Sequence, residues 1–92
     1  MLSLFSAADL QTAFREHLRR QRKTLRLSRE ALALRSTVPA PTIKKFETTG
    51  QISLRQFLLL WQCVDDLARL NELTRLPARK FPSSIEEVLN EP

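Results

Sequence analysis

A chain of 92 residues can bury one hydrophobic core, hiding roughly 60–65 % of its unfolded surface, but it has no room for a second. Its single glycine and its lack of tyrosine argue against a sheet, so we expect an all-α fold. The net charge of +5 is unevenly placed: residues 1–50 carry ten Lys/Arg and four Asp/Glu, a balance of +6, whereas residues 51–92 carry five and six, a balance of −1. A basic half indicates an anionic partner, most commonly nucleic acid, with a solvated helix surface as the alternative.

Catalysis, secretion and membrane insertion all fit the sequence poorly. The one histidine, His17, and the one cysteine, Cys63, have no companions at useful spacing, and there is no glycine-rich phosphate loop or metal-ligand cluster. We therefore expect no enzyme activity, cofactor or metal. A lone cysteine fits a reducing compartment, and no apolar run reaches the ~18 residues of a membrane span. A cytoplasmic location is expected.

The first predicted helix begins at Ser6, where Asp9 has the spacing of a capping box, and runs to about Lys23. Its buried stripe should consist of the apolar residues that recur every four positions, Leu10, Phe14 and Leu18. Its arginines lie on a different face, where they could hold DNA phosphates or simply be solvated, and they include Arg15, Arg19 and Arg22.

Residues 27–50 predict two short helices joined by a tight turn. Ser28 should cap the first helix, and residues 37–39, which end in Pro39, should interrupt it. The second helix begins at Ala40, because Pro41 falls in its first turn, where a proline is tolerated. This helix ends at Gly50. Two apolar residues of this helix, Ile43 and Phe46, should face the core. Its two lysines, Lys44 and Lys45, should lie on another face.

Within residues 27–50 the succession of Leu-Ser, Leu-Ala, a turn, Thr-Ile, an aromatic residue and Glu resembles the Cro/C1 (Xre) family of helix-turn-helix DNA-binding proteins. The resemblance covers roughly Phe14 to Leu73 and implies a lambda-repressor-like bundle of about five helices. Residues 46–54, FETTGQISL, look like the HipB-type antitoxins that partner HipA-like serine/threonine kinases. This second resemblance implies an autoregulatory repressor that binds operator DNA and a HipA-like kinase toxin.

The resemblance also implies a set of DNA-binding residues, Arg29, Ala40, Pro41, Thr42, Lys44 and Lys45. Ala40 and Pro41 depart from the family, since they offer no side-chain hydrogen bond and can meet only a thymine methyl. Direct readout should therefore fall on Lys45, Arg29 and Lys44, with Thr42 buried or on a phosphate.

Two structural expectations follow from the same resemblance. An ion pair between Arg22 and Glu47 should lock the first helix to the recognition helix. Thr37 stands where the family usually has glycine, so a positive φ at this residue would be strained.

The fourth predicted helix begins at Ser53, and its apolar residues leave almost no polar face. Such a helix is buried nearly all round, either by its own chain or by a second copy. The interpretation as a homodimer assigns its interface to Leu60, Trp61, Val64 and Leu67. A fifth short helix, capped by Asp65 and Asp66, should run to about Thr74.

Two segments are expected, a DNA-binding and dimerisation domain over residues 1–74 and a linker with a short C-terminal segment over residues 75–92. Residues 84–89 have the pattern of a short helix that docks on the body or on a protein partner. Three functions remain open: an antitoxin-type repressor, a stand-alone or phage-type Xre regulator, and a protein-interaction module that has lost base reading.

Overall fold

Five α-helices make up most of residues 5–76, the part of the chain that the computed structural model describes. They are α1 (Ala7–Thr24), α2 (Arg29–Ser36), α3 (Ala40–Thr49), α4 (Leu54–Val64) and α5 (Leu67–Glu72). This stretch contains no strand, and the prediction of an all-α bundle is confirmed. The predicted linker after Leu76 and the short helix at residues 84–89 lie outside the described residues.

Short polar side chains begin four of the five helices. The hydroxyls of Ser6, Ser28 and Ser53 accept hydrogen bonds from the backbone N–H three residues later, and the predicted capping box of Ser6 with Asp9 is present. Asp66 caps α5 in a similar way by accepting from Ala68 N. Each cap satisfies a backbone donor that has no partner within its helix, which explains why these starts were predictable.

The core lies where α1 and α2 pack against α3 and α4. Its buried apolar residues come from all four of these helices and from the links between them: Leu18, Leu27, Leu32, Val38, Ile43, Phe46, Leu60, Trp61 and Val64. At one edge the rings of Phe14 and Trp61 meet edge to face, with centroids 5.8 Å apart. Phe57 completes this aromatic group, 5.2 Å from Phe14. The buried stripe of α3 is the predicted one.

Two predictions about apolar residues were wrong. Leu60, Trp61 and Val64 are each at most 6 % exposed within the single chain, so they have no surface to offer a second copy. Their assignment to a dimer interface is therefore corrected, and of the predicted set only Leu67, at 38 %, is exposed. Leu10 was expected in the core but is 51 % exposed, within a run of exposed residues that covers positions 5–13.

The turn between α2 and α3 is built without glycine. Thr37 ends α2 in the left-handed region with φ of 65°, so the turn keeps the positive φ that would be strained at this residue, and its N–H donates to Ala33 O. Ser36, which is buried, accepts a hydrogen bond from Val38 N at 3.1 Å. Val38 is fully buried and anchors the three-residue connection, so the relative position of the two helices is fixed by packing as well as by backbone geometry.

Within residues 5–76 no helix has the length and apolar character needed to cross a membrane. Cys63 is half-buried beside the core, and burial raises the pKa of its thiol. The thiol therefore stays protonated near neutral pH.

Candidate nucleic-acid interface

The outer face of α3 carries two cationic side chains. Ile43 and Phe46 are 1 % and 2 % exposed, which fixes the rotation of the helix against the core. Lys44 and Lys45 lie between these two residues in the sequence, and both are exposed, as predicted. Because residues three and four apart share a helix face, the same surface continues toward the N-terminus at Pro41.

The start of α3 is open rather than capped by a side chain. Pro39 precedes the helix and its carbonyl oxygen accepts from Thr42 N and Ile43 N at 2.9 and 3.0 Å. Pro41 is exposed, and Ala40 and Thr42 are half-buried. Thr42 was expected to be buried or to contact a phosphate, and its side chain is half-buried.

A shallow concavity between the first turns of α2 and α3 brings together four of the six predicted DNA-binding residues, Arg29, Ala40, Pro41 and Lys44. Glu30 also lines it and offsets part of its positive charge. Lys45 lies outside the concavity, on the exposed side of α3, and Thr42 does not line it. Four of the six predicted residues therefore share a recess at the junction of the two helices, and Lys45 and Thr42 do not.

Glu47 in α3 binds two arginines from different helices, and these three residues form what we call the Glu47 ion cluster. Arg22 Nε and Nη2 donate to its two carboxylate oxygens at 2.7 and 3.0 Å, so the predicted ion pair is present. Arg29 Nε donates to Oε1 at 3.0 Å. Burial alone would raise the pKa of the Glu47 carboxyl, but the hydrogen bonds and charges of Arg22 and Arg29 outweigh it and hold the pKa below its ordinary value.

Further hydrogen bonds tie α1 to the end of α3 and to the following link. Arg15 Nη1 donates to the backbone oxygen of Glu47 at 3.0 Å, and the side chain of Gln11 donates to Gly50 O at 3.2 Å. Arg22 Nη1 donates to Leu27 O at 2.9 Å. Two of the arginines that were candidates for phosphate contacts, Arg15 and Arg22, therefore hold the fold together, whereas Arg19 is exposed.

A second ion cluster joins α1 to the link between α4 and α5. Asp65 Oδ2 accepts from His17 Nε2 and from Arg69, both at 2.7 Å. The hydrogen bond from His17 holds the pKa of the Asp65 carboxyl below its ordinary value, against the opposing effect of burial. The sequence assigned the cap of α5 to Asp65 and Asp66 together, but Asp66 provides that cap, whereas the side chain of Asp65 is 7 % exposed and binds these two partners.

Leucines line an open groove formed by α1, α4 and α5. We call it the leucine groove; Leu54, Leu58, Leu67, Leu70 and Leu73 are part of its wall. Leu54 and Leu73 are more than 70 % exposed, so this face is apolar and uncovered among the described residues. It is separate from the cationic surface of α3, whose residues do not line it.

Comparison of the chain with protein-family models, with curated proteins and with solved structures found no match.

Proposed function

We propose that this protein is a DNA-binding transcriptional repressor that inserts α3 into the major groove and acts in the cytoplasm on its own operator. The observation that carries the proposal is the exposed pair Lys44 and Lys45 on α3, a helix whose opposite face is buried. A helix held in this way presents its outer residues at a fixed depth, as groove reading requires. The recess beside Arg29 adds a second cationic contact.

The side chains on this surface fall into two groups, those that could contact bases and those that could contact phosphates. Lys45 and Lys44 can donate to base acceptors, whereas Pro41 and Ala40 can contact only a thymine methyl. We propose that Arg19, which is exposed on α1 one turn beyond Arg15, contacts a phosphate. With so few hydrogen-bonding readers, a single copy would discriminate modestly between sequences.

A homodimer would recover specificity by reading two half-sites about one helical turn apart. Leu60, Trp61 and Val64 serve the core, so we assign the contact with a second copy to the leucine groove, which includes Leu67 and is apolar and open among the described residues. Light scattering across a hundredfold range of concentration tests this proposal. A Leu58→Glu variant that remains folded but loses the dimer supports the assignment, and a dimer that survives this change contradicts it.

The proposal of an antitoxin role rests on the likeness of residues 46–54 to HipB-type antitoxins. The structure uses these residues for folding: Phe46 is in the core, Glu47 holds two arginines, Gly50 ends α3 with φ of 81°, and Ser53 caps α4. A HipA-like kinase partner therefore needs its own test. Deletion of residues 83–92 should weaken binding of a HipA-like kinase and leave DNA binding intact.

A protein-interaction module is the second candidate function, and the lack of hydrogen-bonding side chains at Ala40 and Pro41 favours it. Fluorescence anisotropy separates the two functions, with a labelled duplex from upstream of the protein's own gene and a scrambled duplex, each at two salt concentrations. A repressor binds the upstream duplex more tightly, and its affinity falls steeply with salt because phosphate contacts release counterions. Equal binding to the two duplexes, or none at low salt, would contradict the repressor.

A further inference from the structure

Arg29 is held by the protein along only one edge of its guanidinium group. Its Nε donates to Glu47 Oε1 at 3.0 Å, and within residues 5–76 its two terminal nitrogens have no hydrogen-bond partner. The side chain is 34 % exposed and lines the recess between α2 and α3. The guanidinium therefore faces the proposed DNA surface with two donors available.

We propose that Glu47 is a positioning residue that presents the two terminal nitrogens of Arg29 as a fixed pair of donors to a pair of acceptors on DNA. The acceptors are two oxygens of one phosphate or the O6 and N7 atoms of one guanine, since both match the fork of an arginine. This inference rests on the proposed function and assigns a specific contact to it.

Glu47 is suited to this role because its own position is held by the fold. Its side chain is 3 % exposed, and Arg22 donates to both of its carboxylate oxygens. An arginine that is free in solution loses rotamer entropy when it binds. Holding Arg29 by Nε removes part of that cost before DNA arrives.

The charges of the Glu47 ion cluster also favour an incoming anion. One carboxylate lies between two arginines, so the cluster keeps a net positive charge after both ion pairs have formed. Arg22 is 8 % exposed and is enclosed by the fold, whereas Arg29 is at the surface. The excess positive charge therefore lies at the surface at Arg29, which lines the same recess as the exposed Lys44.

The test compares Arg29→Ala, Arg29→Lys and wild type by anisotropy on the upstream duplex, with Arg75→Ala as a control. Arg75 is exposed and pairs only with Glu72 among the described residues, so it reports the effect of losing one remote charge. We expect Arg29→Ala to weaken the affinity about tenfold or more, as for loss of a bidentate contact. Arg29→Lys should recover less than a third of that loss, because lysine offers no fork and no Nε for Glu47.

Selection of randomised duplexes by wild type and by Arg29→Ala distinguishes the two sources of acceptor. A guanine contact predicts that one preferred guanine disappears in the variant. A phosphate contact predicts unchanged preferences and a salt dependence lower by about 0.9 in its log–log slope. Either result supports the inference.

The positioning role of Glu47 is tested by adding Glu47→Gln and the double variant with Arg29→Ala. If Glu47 acts through Arg29, Glu47→Gln weakens the affinity for DNA. Adding Arg29→Ala to that variant then lowers the affinity by less than about threefold more. Full additivity would overturn the role. Circular dichroism shows whether Glu47→Gln is folded. If this variant is unfolded, the affinity of Arg29→Lys decides instead. An affinity equal to that of wild type overturns the inference, and a weaker affinity supports it.

The inference and the proposed function fail in different ways. Wild type that binds DNA with steep salt dependence, while Arg29→Ala binds equally well, would overturn the inference and leave the repressor standing. Wild type that binds neither duplex at low salt would overturn both.

Discussion

Arg22 Nε lies 2.7 Å from Glu47 Oε2 in the interior of the bundle, where the two side chains are 8 % and 3 % exposed. The contact joins α1 to α3, the helix that we propose enters the DNA. A second bond from the same arginine and a bond from Arg29 complete the coordination of the carboxylate. The orientation of the proposed recognition helix thus depends on a buried charge that is fully paired.

Removing Arg22 should destabilise the protein strongly. Arg22→Ala leaves a buried carboxylate with one partner, and breaking a buried pair in this way costs about 3–5 kcal/mol. We expect the midpoint of urea unfolding to fall accordingly. Arg20→Ala, an exposed arginine on the same helix, is the control and should change the free energy of unfolding by less than about 0.5 kcal/mol. Equal stability of the two variants would show that the pair does not hold the fold.

The Glu47 ion cluster also predicts an acid-dependent loss of stability. The pKa of Glu47 lies below its ordinary value of 4.5 in the folded protein, so its ion pairs contribute fully above pH 4.5. That contribution is lost as the pH falls through the lower, folded pKa. Glu47→Gln should therefore be less stable than wild type at pH 7, and the difference should shrink below pH 4.5. Urea unfolding at pH 7, 5 and 3 measures it, and a difference that stays constant would contradict the prediction.

Thr37 should be replaceable by glycine with a gain in stability. Its φ of 65° is strained for a residue with a Cβ, by roughly 1–2 kcal/mol, and glycine removes this strain while losing more conformational entropy on folding. We expect Thr37→Gly to raise the free energy of unfolding by up to about 1 kcal/mol. Thermal melts of the variant and wild type test this, and a lower melting temperature would contradict it.

Gly50 provides the opposite case. Its φ is +81°, and a Cβ added there would meet Gln11 Cβ at 3.1 Å. Gly50→Ala should therefore lower the melting temperature, because both the backbone and the contact with α1 oppose the methyl group. A stability equal to that of wild type would show that this end of α3 can readjust.

Asp65 should control how α5 sits on the rest of the protein. Asp65→Ala removes the acceptor of His17 and Arg69, and Arg69 lies over the ring of Trp61 at 5.8 Å. Trp61 is the one tryptophan in the chain, so its emission reports this region directly. We expect a red shift and a lower melting temperature in Asp65→Ala, and neither in Glu72→Ala, whose carboxylate is exposed. An unchanged emission maximum would contradict the role of Asp65.

Local sequence patterns predicted the helices well because the responsible interactions are local. Ser6, Ser28 and Ser53 each bond to a backbone N–H three residues away, and Gly50 supplies the conformation that ends α3. The inward positions of Ile43 and Phe46 follow from helical spacing and from the polar residues between them. These features need no knowledge of the rest of the fold.

The contacts between distant residues could not be read from such patterns. Arg29 and Glu47 are 18 residues apart and His17 and Asp65 are 48 apart, and their meeting depends on how the helices cross. The Arg22 pair was expected only through a family resemblance. The apolar run of α4 left open which residues its own chain covers, and for this reason Trp61 was assigned to an interface although it lies in the core.

The central claim, that α3 reads DNA, is tested most directly by comparing Lys45→Ala with Arg75→Ala in anisotropy titrations on the upstream and scrambled duplexes. Both variants lose one exposed positive charge, but only Lys45 lies on the outer face of α3. If α3 reads DNA, Lys45→Ala weakens binding to the upstream duplex by about 1–3 kcal/mol and reduces the preference for that duplex over the scrambled one, whereas Arg75→Ala changes neither. Equal behaviour of the two variants, or a wild type with no preference between the duplexes, would contradict it.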